Sequence, residues 1–239
     1  CKFAAHRCNS LSNMTTNDPK RASAVSSSHS SAVSGGSIGG LSPEDARGSF
    51  ETLRDCGFQS LNIDMMFSIP GQSPESWLAD LEHTVELSPD HVSAYNLNYE
   101  EDTEFFDRLS NGEFREDTAQ DVAFFKSTTQ ILGQAGFEHY EISNYARPGH
   151  QSRHNSAYWS GADYLGIGPG AFTTFKGSRW RNLANTGEYM NQVARNNLAG
   201  LVTEHEQVDA AAFRAERIAL QLRTSRGLGM EILGPSRDK

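Results

Sequence analysis

The chain has 239 residues, 37% hydrophobic and 21% charged, with a formal net charge of −9. No apolar run approaches the ~20 residues that cross a bilayer, so no membrane span is expected, and the acidic balance argues against a broad nucleic-acid surface. Three cysteines, Cys1, Cys8 and Cys56, form an odd and sparse set that fits a reducing compartment, the cytoplasm, better than a disulfide scaffold.

Residues 1–40 differ from the rest. They carry four basic residues against the single acid Asp18, and Ser fills eight of the twenty places from 21 to 40. Such a stretch cannot bury enough apolar surface to offset its chain entropy, so disorder is expected. A Ser-rich, acid-poor N-terminus also leaves a mitochondrial or plastid transit segment open. The chain begins with Cys rather than Met, which reads as a fragment or a processed chain. The remaining 41–239 carry a net charge of −12, from 17 basic and 29 acidic residues.

"SPEDARGSFETLRDCGF" opens with a helix start. Ser42 can cap, Pro43 suits the first turn, and Glu44 and Asp45 favour the positive end, with a stop at Gly57. "SLNIDMMF" (60–67) predicts a strand. The next helix carries Trp77, Leu78, Leu81 and Val85 at helical spacing. "HVSAYNLNY" (91–99) predicts another strand. Alternating helices and strands with short loops indicate βα units and a parallel sheet. A long helix follows over about 116–135 with Val122, Phe125 and Leu132 on one stripe. "HYEIS", "DYLGIG", "AFTTF" and "SRWRN" read as short strands, and two helices, about 186–197 and 209–224, close the chain.

Three stretches carry possible chemistry. Asp64 sits inside an otherwise apolar strand, where a buried carboxylate must be paired or hydrogen-bonded. It either bonds a neighbouring strand or loop, or serves a ligand near the carboxyl end of the sheet. The glycines of "GIGPGA" (166–171) let the backbone come close to a ligand or a neighbouring strand, and a dinucleotide fingerprint is not met. "RHNSAYW" (153–159) is either a polar corner whose groups pair with each other or a pocket for something flat and aromatic. His150 and His154 are four apart, but Pro148, Gly149 and the polar run argue against a helix and so against a two-histidine zinc site. One His beside two aromatics suits a haem better.

"NIDMMFSIPGQS", "EHYEISNYARPGHQSRHNSAYW" and "DYLGIGPGAF" together resemble the oxygen-independent coproporphyrinogen III oxidase-like branch of the radical SAM family. Within it they resemble the HemW-like haem chaperones, which "HNSAYW" matches by an HNxxYW signature. The resemblance spans about 38–230. It implies an α/β fold, a partial (β/α) barrel of radical SAM type, truncated here over 41–135. A small mixed α+β extension over 136–239 would follow, with the start of a helical C-terminal region. It also implies a [4Fe–4S] cluster and S-adenosylmethionine, with Asp64 and, more loosely, Gly168, Gly170 and Phe172 on the latter. His154 would be the haem-iron ligand, with Asn155, Tyr158 and Trp159 around the haem, and a haem-acceptor protein would be a partner.

The sequence departs from that pattern at the cluster. A C-x3-C-x2-C motif is absent, Cys56 is remote from Cys1 and Cys8, and the family's Gly-Arg-x-His segment reads Gly39-Gly40-Leu41-Ser42. The leading expectation is a haem-binding trafficking protein of radical SAM descent. The alternatives are a radical SAM decarboxylase of porphyrin biosynthesis, acting as a coproporphyrinogen III oxidase, and a non-functional fragment. With early strands missing, the strand at 60–67 is expected to have an open edge.

Overall fold

The structure, a computed structural model, describes residues 21–25, 43–101 and 103–233. The chain divides into two compact units, Cys1–Gln151 and Ser152–Lys239. Among the described residues no helix is long and apolar enough to cross a membrane.

The first unit runs β1 (Arg21–Val25), α1 (Pro43–Asp55), β2 (Ser60–Phe67), α2 (Pro74–Glu86), β3 (His91–Asn96), α3 (Glu104–Ser110), α4 (Thr118–Gln134), β4 (Glu138–Glu141) and β5 (Asn144–Ala146). Its five strands form an open sheet in the order β1-β2-β3-β5-β4. The first three are parallel, joined by α1 and α2 as crossovers, and β4–β5 is an antiparallel hairpin added at the β3 edge. The expected βα units are therefore present. No barrel closes among the described residues. The hairpin, placed by the sequence at the start of the extension, belongs to this sheet.

Strand alternation decides what each face carries. Leu61, Ile63, Met65 and Phe67 of β2 are buried with Val92 and Ala94 of β3, against Phe50 of α1, Trp77 and Leu81 of α2, and Phe124 and Leu132 of α4. Full burial of each large side chain stabilises by about 1.5–3 kcal/mol. At the centre Phe67, Trp77 and Phe124 lie with ring centroids 5.6–6.3 Å apart, and Trp77 Nε1 donates to Thr128 Oγ1 at 3.0 Å. The α4 stripe is Phe124, Thr128 and Leu132. Val122 and Phe125, assigned to it from sequence, are exposed. Two overlapping apolar faces compete in that helix, and the aromatic contact with Trp77 selects one. Leu78 likewise turns outward beside buried Trp77.

Within the Ser-rich segment expected to be disordered, Arg21–Val25 pairs in parallel with β2 from Ser60 to Asp64. The expected open edge of β2 is thus covered: its row of unpaired N–H and C=O groups is a template for any extended segment. The expected Ser42 cap lies outside the described residues, as does the rest of the Ser-rich segment.

The second unit contains α5 (Arg153–Trp159), β6 (Phe172–Phe175), β7 (Ser178–Asn182), α6 (Thr186–Ala194), β8 (Val202–Gln207) and α7 (Ala210–Leu222), with short 3₁₀ turns at Leu198–Leu201 and Met230–Leu233. β6-β7-β8 is an antiparallel sheet. "DYLGIG" is not a strand: Tyr164 makes one isolated bridge to Thr174. Asn185 and Asp209 cap α6 and α7 through their side chains.

Candidate functional site

Asp64 lies on the face of the first sheet opposite the apolar core. The register sets Asp64 beside Ser93 and Asn62 beside His91, so one face carries polar side chains while its reverse carries the core. Asn62 Nδ2 donates to Asp64 Oδ1 at 2.7 Å, and the Ser93 hydroxyl reaches both Asp64 and Asn62 Oδ1. Burial pushes the Asp64 carboxyl above its ordinary range, and the bonds from Ser93 and Asn62 pull the other way. Asp64 thus bonds its neighbours as one reading of the strand required, and it keeps lone-pair sites for a further donor. Met66 and Tyr95, nearer the carboxyl ends of the strands on this face, are exposed.

"RHNSAYW" forms a helix, contrary to what Pro148-Gly149 and the polar run suggested. The turn ends before it begins, and Ser152 caps it by accepting from Asn155 N at 3.2 Å. His154 and Tyr158, four apart, share one side of α5, their rings edge-on with centroids 4.8 Å apart. Tyr158 rests against Tyr164 at 4.6 Å, and burial raises its phenol. His154 is exposed and Asn155 is half-buried. Trp159 turns elsewhere: the guanidinium of Arg223 at the end of α7 lies 4.5 Å from its ring. Its Nε1 is buried with no hydrogen-bond partner among the described residues. His150 lies outside α5, with Nδ1 3.2 Å from Ser60 Oγ.

The glycine loop is built for close approach. A Cβ at Gly166 would sit 2.2 Å from the Phe172 carbonyl oxygen, so no side chain fits there. Gly168 and Gly170 have φ of 104° and 69°, which glycine adopts without strain. Asn182, buried on β7, ties the loop by donating to the Gly166 and Gly168 carbonyls at 3.1 and 3.0 Å. Tyr189 Oη accepts from Gly168 N at 3.3 Å. Phe172 opens β6 under the Arg181 guanidinium, 5.2 Å from the ring centroid. Leu165 and Ile167 project into solvent.

The residues nominated from sequence thus fall into three local arrangements: Asp64 in the first unit, and α5 and the glycine loop in the second. The close approach read for the glycines of 166–171 is met at Gly166, whereas the sequence reading missed Asn182, which ties the loop from β7, and Asn62 beside Asp64. Asn62 was legible, since alternation in "SLNID" puts it on the Asp64 face.

As to the groups implied by resemblance, an exposed imidazole backed by an aromatic edge suits an axial haem ligand. Trp159, turned to another side of the helix with its Nε1 enclosed, does not join that arrangement. A [4Fe–4S] cluster does not fit the described residues. No group of three or more His, Cys, Asp or Glu among them could hold a metal ion, and their one cysteine, Cys56, is exposed.

No family model matches this chain. It is 37% identical over 145 residues to the haem chaperone HemW of Lactococcus lactis, covering 59% of this chain and 38% of that protein. It is 34% identical over 179 residues to the haem chaperone HemW of Mycobacterium tuberculosis, covering 74% and 45%. Among solved structures, coproporphyrinogen III oxidase (HemN) from Escherichia coli, a radical SAM enzyme, matches with a TM-score of 0.62 at 20% identity. That match covers 76% of this chain and 44% of that one. This likeness concerns the fold. The chain spans less than half the length of each of these relatives.

Proposed function

Because this chain is a HemW-like radical SAM protein, we propose that it binds haem through His154 and acts in haem trafficking in the cytoplasm, passing haem to an acceptor protein. The observation that carries the reading is the exposed His154 on α5, its ring set edge-on against Tyr158. Such an imidazole can reach an iron without displacing packed neighbours. Tyr158 would then flank the macrocycle. Asn155 completes the signature at the first turn of the helix.

The same membership supports Asp64 as an acceptor for S-adenosylmethionine, with the backbone of the Gly168–Gly170 loop and Phe172 as further contacts. That molecule, on an intact cluster, supplies radical chemistry. What these residues contribute is binding and orientation.

Haem titration of the full chain tests the proposal. His154→Ala should shift or abolish the Soret band and weaken binding by more than about tenfold, since losing even a supporting contact to a metal ligand costs about 10–100-fold. His150→Ala, whose ring is bonded to Ser60, controls for adventitious imidazole and should leave the spectrum unchanged. A His154→Ala protein with the wild-type spectrum and affinity would refute haem ligation by α5.

A further inference from the structure

The bonds that reach Asp64 do not stop at Asn62. His91 Nδ1 lies 2.6 Å from Asn62 Oδ1, and His91 Nε2 lies 2.7 Å from Tyr140 Oη. Both rings are buried, at 4% and 6% exposure, so water does not compete for these bonds. A register shift between His139 and Glu141 brackets Tyr140 in β4, the kind of irregularity that re-aims a side chain.

The sense of the chain follows from donor counting. An amide has one donor end and one acceptor end. Asn62 Nδ2 donates to the Asp64 carboxylate, so its Oδ1 faces His91 and must accept. His91 therefore carries its proton on Nδ1, Nε2 holds a lone pair, and the Tyr140 hydroxyl donates to it. Every donor points toward Asp64, an arrangement in which each bond polarises the next.

We propose that Tyr140, His91 and Asn62 are positioning residues, a one-way hydrogen-bonded relay that fixes the orientation of the Asp64 carboxylate for a hydroxyl- or amine-bearing ligand. The ligand's identity as S-adenosylmethionine rests on the reading of Asp64 given above, whereas the relay rests on the bonds alone. Other titratable groups on this face are Tyr95 and Glu138, both exposed, Glu141, which accepts from Ser143 N and Asn144 Nδ2, and His150, whose Nδ1 lies 3.2 Å from Ser60 Oγ.

Tyr140→Phe removes one hydroxyl and keeps the ring whose centroid lies 5.6 Å from that of His91. Without its donor, Nε2 keeps an unpaired lone pair, Nδ1 keeps its proton on Asn62 Oδ1, and the relay loses its first polarising bond. Nitrogen-15 NMR of the His91 ring in the full chain should report an Nδ1–H tautomer in both proteins, with the Nε2 resonance shifted in Tyr140→Phe by loss of its bond. The carbon-13 titration of Asp64 should move to higher pH in the variant. Tyr145→Phe controls for loss of a buried tyrosine hydroxyl, since its Oη, 3.1 Å from Thr129 Oγ1, is remote from the relay. It should move neither signal.

An Nε2–H tautomer in the wild type, an Nε2 resonance and Asp64 titration both unchanged in Tyr140→Phe, or equal shifts in Tyr145→Phe, would overturn the relay. Calorimetry with S-adenosylmethionine separates the two claims. Asp64→Asn should abolish or strongly weaken binding, and Tyr140→Phe should weaken it about two- to tenfold, the worth of one hydrogen bond. Full affinity in Asp64→Asn with intact NMR shifts would remove the ligand assignment and leave the relay standing.

Discussion

A carboxyl raised by burial on a polar face lowers stability when it is charged, so the charge on Asp64 works against the fold. Its folded pKa lies above the unfolded value of ~3.9. Between the two, the unfolded chain binds fewer protons than the folded one, so stability falls as pH rises through that window and stays lower above it. Asp64→Asn keeps an acceptor for Asn62 and removes the charge. The variant should be more stable than the wild type at neutral pH, and the difference should vanish below the ordinary aspartate range. Urea denaturation across pH reads this, and an Asp64→Asn protein that is less stable at neutral pH would show the carboxylate serving the fold. At this scale the sequence exposed Asp64 because an acid in an apolar strand stands out. It could not expose His91 and Tyr140, whose link to Asp64 depends on strand register and on an irregularity in β4.

Among elements, α1, α2, α4, β2 and β3 were legible because long apolar periodicity and Gly or Pro punctuation agree there. The seven-residue α5 was not, because its start depends on one Ser152 cap after a turn, with no apolar stripe to advertise it. β8 was overlooked for a related reason: "VTEHEQ" is nearly all exposed, and its pairing comes from β7. What ties β7 to α7 is polar. Arg179 donates to Glu216 with both terminal nitrogens, at 2.8 and 2.7 Å, which holds the Glu216 carboxyl below its usual range. A depressed carboxyl contributes stability above the unfolded value of ~4.3, and that contribution is lost as pH falls through the folded value. Glu216→Gln should therefore cost about 1–2 kcal/mol at neutral pH, the range of a charged hydrogen bond discounted for partial exposure. Amide exchange in β7 should quicken accordingly, with the gap to the wild type closing in acid. A gap that stays constant with pH would assign the effect to packing.

At the scale of the whole molecule, the parallel order of β1, β2 and β3 decides which pole of the first sheet can hold ligands. Loops at the carboxyl ends of such strands gather them, and the Pro70-Gly71 turn after β2 and exposed Met66 and Tyr95 lie toward that pole. Cys56 lies at the other. It follows the C-terminus of α1, and the chain there turns into the amino end of β2. The eight residues of β2 put roughly 25 Å between the two poles. A cluster that leaves one iron open for S-adenosylmethionine needs three thiolates on one loop, and a thiolate about a strand's length away cannot join it. The remaining cysteines, Cys1 and Cys8, number two. Anaerobic reconstitution of this chain with iron and sulfide should thus give well below one [4Fe–4S] centre per chain by iron and sulfide counting, absorbance and EPR. Cys56→Ser should leave whatever signal forms unchanged. A near-stoichiometric cluster that Cys56→Ser abolishes would require Cys56 to move to the ligand-bearing pole, and the β2 register with it.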